Sequence, residues 1–212
     1  MKALIRRLFG RLYWVQYSKS LSYKGGWKNG SFDGSGRLKY RNGTTFHGNF
    51  SNGLKHGSGV LLSSSGYRYA GDWIRGKKTG FGIISYKNGS YFRGNVLDGL
   101  KHGHGEIFDA LTKIRFKGVW SNDTIQGEVT ITTSQWQFLG EMPDCDGNTK
   151  GEMKYANGSF YTGELKDFIR HGQGILKTHL GEVIEGIWED NVNVQKANKL
   201  DANGATWKGN LR

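Results

Sequence analysis

Residues 69–89 read Tyr-Ala-Gly-Asp-Trp-Ile-Arg-Gly-Lys-Lys-Thr-Gly-Phe-Gly-Ile-Ile-Ser-Tyr-Lys-Asn-Gly. Tyr69, Gly71 and Trp73 are two apart, which puts them on one face of an extended strand, because successive strand side chains point to opposite faces. The glycine between the two rings leaves room for them, or for something laid across them. Gly80-Phe-Gly82 opens a second alternating stretch through Ile84 and Tyr86. Asn88-Gly89 then supplies the pair favoured in tight hairpin turns, where central residues take positive φ. The stretch predicts a β-hairpin followed by a tight turn.

The same pattern runs outward in both directions. The glycine of Tyr69-x-Gly71 recurs as Gly25, Gly48, Gly71, Gly94, Gly118, Gly140, Gly163, Gly186 and Gly209, at spacings of 22 to 24 residues. Two residues before it stand Tyr23, Phe46, Tyr69, Phe92, Phe116, Phe138, Tyr161, Ile184 and Trp207. Two residues after it stand Trp27, Phe50, Trp73, Val96, Trp120, Met142, Leu165, Trp188 and Leu211. Gly-x-Gly returns at Gly34/Gly36, Gly57/Gly59, Gly103/Gly105 and Gly172/Gly174. Turn signals return at Asn29-Gly30, Asn52-Gly53 and Asp98-Gly99, and at Asn42-Gly43, Asn157-Gly158 and Asn203-Gly204. A fixed period of this size marks a repeat array.

Composition agrees. The chain has 34 glycines among 212 residues and 13% aromatics, against about 7% glycine in average usage. Disordered chains lack aromatics, and collagen needs a strict Gly-X-Y period with abundant proline; this chain has one proline, Pro143. One cysteine, Cys145, excludes an internal disulfide and a cysteine-rich metal site. No apolar run reaches the 18 residues of a spanning helix, and residues 1–22 lack the apolar core of a secretory signal. Asn29-Gly-Ser and Asn88-Gly-Ser therefore read as turns rather than glycosylation sites, and the expected setting is intracellular.

Tyr69-Ala-Gly71-Asp-Trp73, Gly76, Gly80-Phe-Gly82 and Tyr86-Lys-Asn-Gly89 together resemble the MORN repeat (membrane occupation and recognition nexus). The resemblance extends over 23–212 as about eight 23-residue repeats plus a terminal strand. It implies an all-β fold: an elongated, single-layer, twisted antiparallel sheet of successive hairpins. Residues 1–22 form a separate segment. Trp14 to Tyr17 match the end of a second strand and predict a capping strand. In residues 1–12, Leu4, Ile5, Leu8, Phe9 and Leu12 fall at helical spacing, with Lys2, Arg6, Arg7 and Arg11 between them and no acid. That predicts a short basic amphipathic helix, which could cap the sheet, lie on an anionic membrane or acidic partner, or serve as a mitochondrial targeting segment.

The pattern lapses in places. Gly127 and Val129 stand in the Gly-x-Gly slots of the fifth repeat, Cys145 and Thr149 stand at glycine positions of the sixth, and Asn191, Gln195 and Ala197 replace glycines of the eighth. The reading is drift at tolerant turns, or a bend or docking point near 121–150. Charge changes over the same stretch. Residues 1–117 hold 21 Lys and Arg against 5 Asp and Glu; residues 118–212 hold 9 against 13. An uneven balance of this kind points to an acidic partner for the N-terminal half.

Catalytic chemistry is not expected. His56, His102 and His171 recur in Lys/Arg-His-Gly turns of different repeats, too far apart to share a metal. Gly71 to Lys78 approaches a phosphate-binding loop, but Ser or Thr is missing after Lys77 and no helix follows. No paired carboxylates and no Ser/His/Asp set stand out. No cofactor is expected.

Two sets of residues are the candidate sites. The first is a glycine-floored aromatic groove of Tyr23, Trp27, Tyr40, Phe46, Phe50, Tyr69, Trp73, Tyr86, Phe92 and Trp120. It would be covered by its own side chains, a partner helix or another copy, since a bare apolar strip of that size is unusual. The second is a patch for an anionic partner: Lys2, Arg6, Arg7, Arg11, Lys24, Lys28, Arg37, Lys39 and Arg41. The resemblance implies a non-catalytic scaffold that binds a helical or extended acidic protein partner, in a cytoskeletal or ciliary, radial-spoke-like assembly, with self-association as a further mode. The alternatives are attachment to anionic membrane through the basic half, and an accessory role in a mitochondrial or RNA-containing complex; nucleic acid is the least favoured partner.

Overall fold

The computed structural model describes residues 15–18, 20–194, 198–200 and 206–208, with side chains for 20–194. The helical segment expected over 1–12, with Lys2, Arg6, Arg7 and Arg11, lies outside the described residues, as do Asn203-Gly204 and Gly209. Every regular element among the described residues is a strand. The chain divides into two compact units. The described part of the first runs to Thr112 and takes in Trp120–Thr124; the second comprises Lys113–Val119 and the residues from Ile125 onward. The division falls at the start of the fifth repeat, where Gly-x-Gly is lost.

The first unit holds β1 (Val15–Ser18), β2 (Leu21–Lys28), β3 (Ser31–Tyr40), β4 (Thr45–Ser51), β5 (Leu54–Leu62), β6 (Arg68–Ile74), β7 (Lys77–Ser85), β8 (Tyr91–Leu97) and β9 (Leu100–Phe108). Each pairs antiparallel with the next. The capping strand expected before the array is β1, with Val15 opposite Tyr23. Strands β10 (Arg115–Ser121) and β11 (Thr124–Thr132) carry the division. The second unit continues with β12 (Trp136–Glu141), β13 (Asn148–Tyr155), β14 (Phe160–Lys166), β15 (Ile169–Lys177), β16 (Val183–Glu189), β17 (Val192–Asn193), β18 (Asn198–Leu200) and β19 (Thr206–Lys208). Strands β11 to β16 again pair antiparallel in sequence order.

The turn within each of the first four repeats has both central residues at positive φ: Asn29/Gly30 at 48° and 78°, Asn52/Gly53 at 50° and 82°, Arg75/Gly76 at 49° and 85°, Asp98/Gly99 at 53° and 95°. This is the hairpin turn whose twist matches its strands. The turn between repeats is different. Only its glycine, as in Gly43 and Gly89, has positive φ. The asparagine before it uses its side chain: Asn42, Asn88 and Asn157 Oδ1 accept from the backbone N–H of Thr44, Ser90 and Ser159, each at 3.0 Å. Asn-Gly thus does two jobs, a backbone one within repeats and a side-chain one between them.

The glycines that set the period face each other across the ladder: Gly25 opposite Gly36, Gly48 opposite Gly59, Gly71 opposite Gly82, Gly94 opposite Gly105, Gly140 opposite Gly151, Gly163 opposite Gly174. The ring two residues before the first glycine lies across the pair. A Cβ on Gly82 would stand 2.5 Å from Tyr69 Cε2, and one on Gly71 would stand 2.6 Å from Gly82 Cα. The ladder shifts register between Gly71 and Trp73, and at the equivalent point of four other hairpins. Such a bulge re-aims the following side chain, and Trp73 turns its ring edge-on to Tyr69, with centroids 5.4 Å apart at 83°.

The core of each unit follows. In the first it is Tyr23, Phe32, Leu38, Phe46, Phe50, Tyr69, Trp73, Ile84, Phe92, Val96 and Trp120; in the second, Val129, Ile131, Phe138, Met153, Tyr161, Leu165, Leu176 and Trp188. Replacing Gly82 with Ala puts a methyl into the Tyr69 ring, and overpacking of this kind costs about 1–3 kcal/mol or more. Gly99 has positive φ but nothing within 4 Å of an added Cβ, so Gly99→Ala carries only the backbone term. Thermal unfolding is expected to place Gly82→Ala well below Gly99→Ala in midpoint.

Candidate docking face

The ten aromatic residues expected to line a partner groove are placed by the structure as follows. Tyr23, Phe46, Phe50, Tyr69, Trp73, Phe92 and Trp120 are buried, four of them with no exposed surface at all. Trp27 and Tyr40 are half-buried and Tyr86 is exposed. Of the three covers considered for the rings, their own side chains are the one present. The reason is interlocking. Tyr23 meets Trp27 of its own repeat at 5.4 Å and Phe50 of the next at 5.2 Å; Phe46 meets Phe50 at 5.2 Å and Trp73 of the next at 5.2 Å. Edge-to-face pairs at these separations are the favoured aromatic geometry. Seven of the ten rings are therefore core, and a partner does not reach them in this conformation.

A second layer over the rings was not anticipated. Lys55 Nζ stands 5.0 Å from the Trp73 ring centroid and 5.5 Å from those of Phe46 and Tyr40. Lys78 Nζ stands 5.4 Å from Tyr69 and 4.6 Å from Tyr67, whose hydroxyl accepts its hydrogen bond at 2.6 Å. Lys101 covers Trp120 and Phe92, and Arg170 covers Trp188. All four occupy one position of the repeat, seven residues after the strand glycine. Phe32 holds that position in the first repeat and stacks on Tyr23 at 3.9 Å. The lysine stems cover apolar surface while their charges sit over ring faces. The recurrence Lys55, Lys78, Lys101 was visible in the sequence and would have found them.

The tyrosine hydroxyls bond within their own repeat, and the indole N–H groups of Trp73, Trp120 and Trp188 bond to the repeat before. The Tyr23, Tyr69 and Tyr161 hydroxyls donate to the carbonyls of Gly26, Asp72 and Glu164, three residues on, at 2.8 to 3.0 Å. Trp73, Trp120 and Trp188 Nε1 donate to the carbonyls of Gly59, Gly105 and Gly174. Burial pushes the hydroxyl of each of the three tyrosines up to about 12, with the neighbouring Asp33 and Asp72 adding to the effect at Tyr23 and Tyr69.

The opposite face of the first unit is different in kind. His47, Val60, Ala70, Ile83, Arg93 and Glu106 lie directly across from one another along β4 to β9. Nothing among the described residues packs over them as the lysines do over the rings. Phe81 and Ile74 are about half exposed, with Leu62 and Leu97 close behind at 48% and 46%. The Arg93 guanidinium lies 5.9 Å from the Phe81 ring. Toward the N-terminal strands the face is basic. Lys24 is opposite Arg37, and Arg37 is opposite His47; Arg37, Lys39, Arg41 and Lys28 are exposed and Lys24 half-buried. Five residues of the expected anionic patch thus share one end of the first unit. Like charges directly opposed destabilise a sheet, so this end gains from an anionic neighbour. The apolar centre of the face was missed because Val60, Ala70 and Ile83 fall between the glycines that drew the reading to the other face.

His56 is exposed and His102 and His171 are half-buried at equivalent hairpin positions. Among the described residues no three His, Cys, Asp or Glu side chains come together to hold a metal, and no helix is long and apolar enough to cross a membrane.

The model of the MORN repeat family matches four consecutive stretches, residues 23–45, 46–66, 69–91 and 92–108. It describes a non-catalytic repeat module of protein or membrane interaction. No curated protein sequence matches the chain. Among solved structures the chain is similar to the G-box domain of the microcephaly protein CPAP, for which a role in centriole elongation is suggested: 8% identity, 94% of this chain and 99% of that one covered, TM-score 0.52. It is also similar to a mutant TCP10 domain of CPAP from Danio rerio, at 9% identity, 92% and 96% covered, TM-score 0.50. At these identities the likeness is one of fold.

The buried tyrosines set an alkaline limit. An unfolded tyrosine releases its proton near 10, whereas Tyr23, Tyr69 and Tyr161 hold theirs to about 12. The stability they contribute is fully present below pH 10 and is lost as pH rises from 10 through 12. Replacing all three with Phe is expected to flatten that part of the stability profile, as measured by chemical denaturation at stepped pH.

Proposed function

We propose that this chain, a MORN-repeat protein over residues 23–108, is a non-catalytic scaffold that docks a protein partner on the open face of its first unit rather than on its rings. The observation that carries this is the contrast between the two faces. The ring face is closed by interlocked aromatics and lysine stems. The other face holds Phe81, Ile83, Leu62, Ile74 and Leu97 beside Lys24, Arg37, Lys39, Arg68 and Arg93. An apolar centre with cationic flanks suits an amphipathic segment, helical or extended, that carries acids along its edges. The proposed setting is a cytoskeletal or ciliary assembly inside the cell. Fold similarity to domains of CPAP, a protein linked to centriole elongation, supports that choice of setting.

Crosslinking with mass spectrometry in native extract tests the reading. Phe81→Glu with Ile83→Lys is expected to remove an acidic partner that the parent chain captures through β5–β8, while the melting midpoint stays within a few degrees. Arg37→Ser with Lys39→Ser is expected to weaken the same capture and reduce its salt dependence. Retention of the partner by both variants would end the proposal.

The clustering of Lys24, Lys28, Arg37, Lys39 and Arg41 at one end favours a second reading, attachment to anionic membrane. It predicts co-sedimentation with phosphatidylserine vesicles that falls with salt and is lost in Arg37→Ser/Lys39→Ser/Arg41→Ser. Vesicle binding that survives that variant counts against it.

A further inference from the structure

The strands beneath the open face of the first unit restrict what can lie on it. One row of directly opposed residues crosses them, from Lys24 on β2 to Glu106 on β9. At about 4.8 Å per strand the row is about 34 Å long. Every strand from β3 to β8 is paired on both sides. The ladder's N–H and C=O groups are therefore turned toward one another in the plane of the sheet, and none faces a segment lying on top. An extended segment across Val60, Ala70 and Ile83 would bury its own backbone groups without partners, which costs free energy for each group. An α-helix satisfies its backbone groups within itself.

The row also has a low point. Ala70 is half-buried, with Val60 and Ile83 directly opposite and Leu62 and Phe81 on the diagonals. A methyl among four larger side chains leaves a socket for one large apolar residue, and interface energy concentrates at such seated anchors. Charge on the row is one-sided. Three strands from Ala70, Arg37 is opposite Lys24 and His47, with Lys39 two residues on. Three strands the other way, Glu106 is opposite Arg93 and accepts from the Tyr91 hydroxyl at 3.0 Å, so that end carries both signs. Resting on the docking reading above, we infer that the partner is an amphipathic α-helix lying across β3 to β9, with one large apolar residue seated on Ala70 and carboxylates over Arg37 and Lys39. Three strand spacings are about 14 Å, so the acids stand about three helical turns from the anchor on one side only.

Two synthetic peptides of about 22 residues, long enough to span the row as helices, serve as probes of the full chain by fluorescence anisotropy. They share one composition. The first sets leucines at helical spacing around a central tryptophan, with glutamates about three turns away; the second arranges the same residues in strict alternation. The first is expected to bind about tenfold tighter, equivalent to about 1.4 kcal/mol, and to gain helical circular dichroism on binding. Zero-length carbodiimide coupling is expected to join its glutamates to Lys24 or Lys39. Ala70→Trp, which fills the socket, is expected to lower its affinity about tenfold with the melting midpoint within a few degrees, whereas Ala70→Ser leaves binding intact. Tighter binding of the alternating peptide, with the same coupling sites, overturns the helix and leaves the docking face standing. Coupling to Lys55 or Lys78, which cover the rings, overturns the face as well. Undiminished binding to Ala70→Trp overturns the seated anchor. Binding of neither peptide overturns the inference, while capture through β5–β8 in extract still decides the docking reading by itself.

Discussion

The fold depends on an aromatic ring lying flat across two glycines that face each other on adjacent strands. Tyr69 over Gly71 and Gly82 is the clearest instance. A strand pair normally keeps its backbone away from apolar groups by a layer of Cβ atoms. Removing both lets the ring contact backbone directly, so a single sheet layer buries a tyrosine completely without a second layer opposite. The bulge beside five of the six facing glycine pairs then aims the next large residue at the ring edge. Dispersion and area burial make the ring attractive there, but only the missing side chains make the place exist.

From that contact follows the division of labour between faces. On the ring side every repeat spends its aromatics on its own closure and on its neighbour's. The lysines at positions 55, 78 and 101 complete the cover, and two of them are held from beyond: Lys78 by the Tyr67 hydroxyl and Lys101 by Asp123. The other side has no glycine pair to attract a ring, and among the described residues no lysine stems lie over Val60, Ala70 and Ile83 as they do over the rings. Charge makes the two units different. The basic ladder Lys24–Arg37–His47 belongs to the first and the opposed pair Glu128–Glu141 to the second.

Much of the architecture was legible because its cause is local and periodic. Ring-x-Gly-x-large and the paired Asn-Gly signals follow from strand alternation and turn geometry, and the described strands sit where those signals put them. The site was less legible. Alternation places Tyr69 and Trp73 on one face, but whether that face is a groove or a core depends on how far the bulge turns Trp73 toward Phe46 of the preceding repeat, which is a three-dimensional matter. Lys55 and Lys78 read as surface charge in isolation; only their distance from the rings reveals them as cover. Val60, Ala70 and Ile83 become a continuous strip through register, which joins residues more than twenty positions apart.

Because each ring is enclosed half by its own repeat and half by the one that follows, no repeat is a self-sufficient module. Lineages of such chains can lengthen or shorten only in whole steps. An insertion of one complete period leaves every ring with a successor, while an odd-numbered slip inside a strand would carry that strand's ring-side residues, covering lysine included, to the opposite face. The last ring in any such series has no successor, and whatever occupies that vacancy decides whether the molecule stops there or is continued by something else.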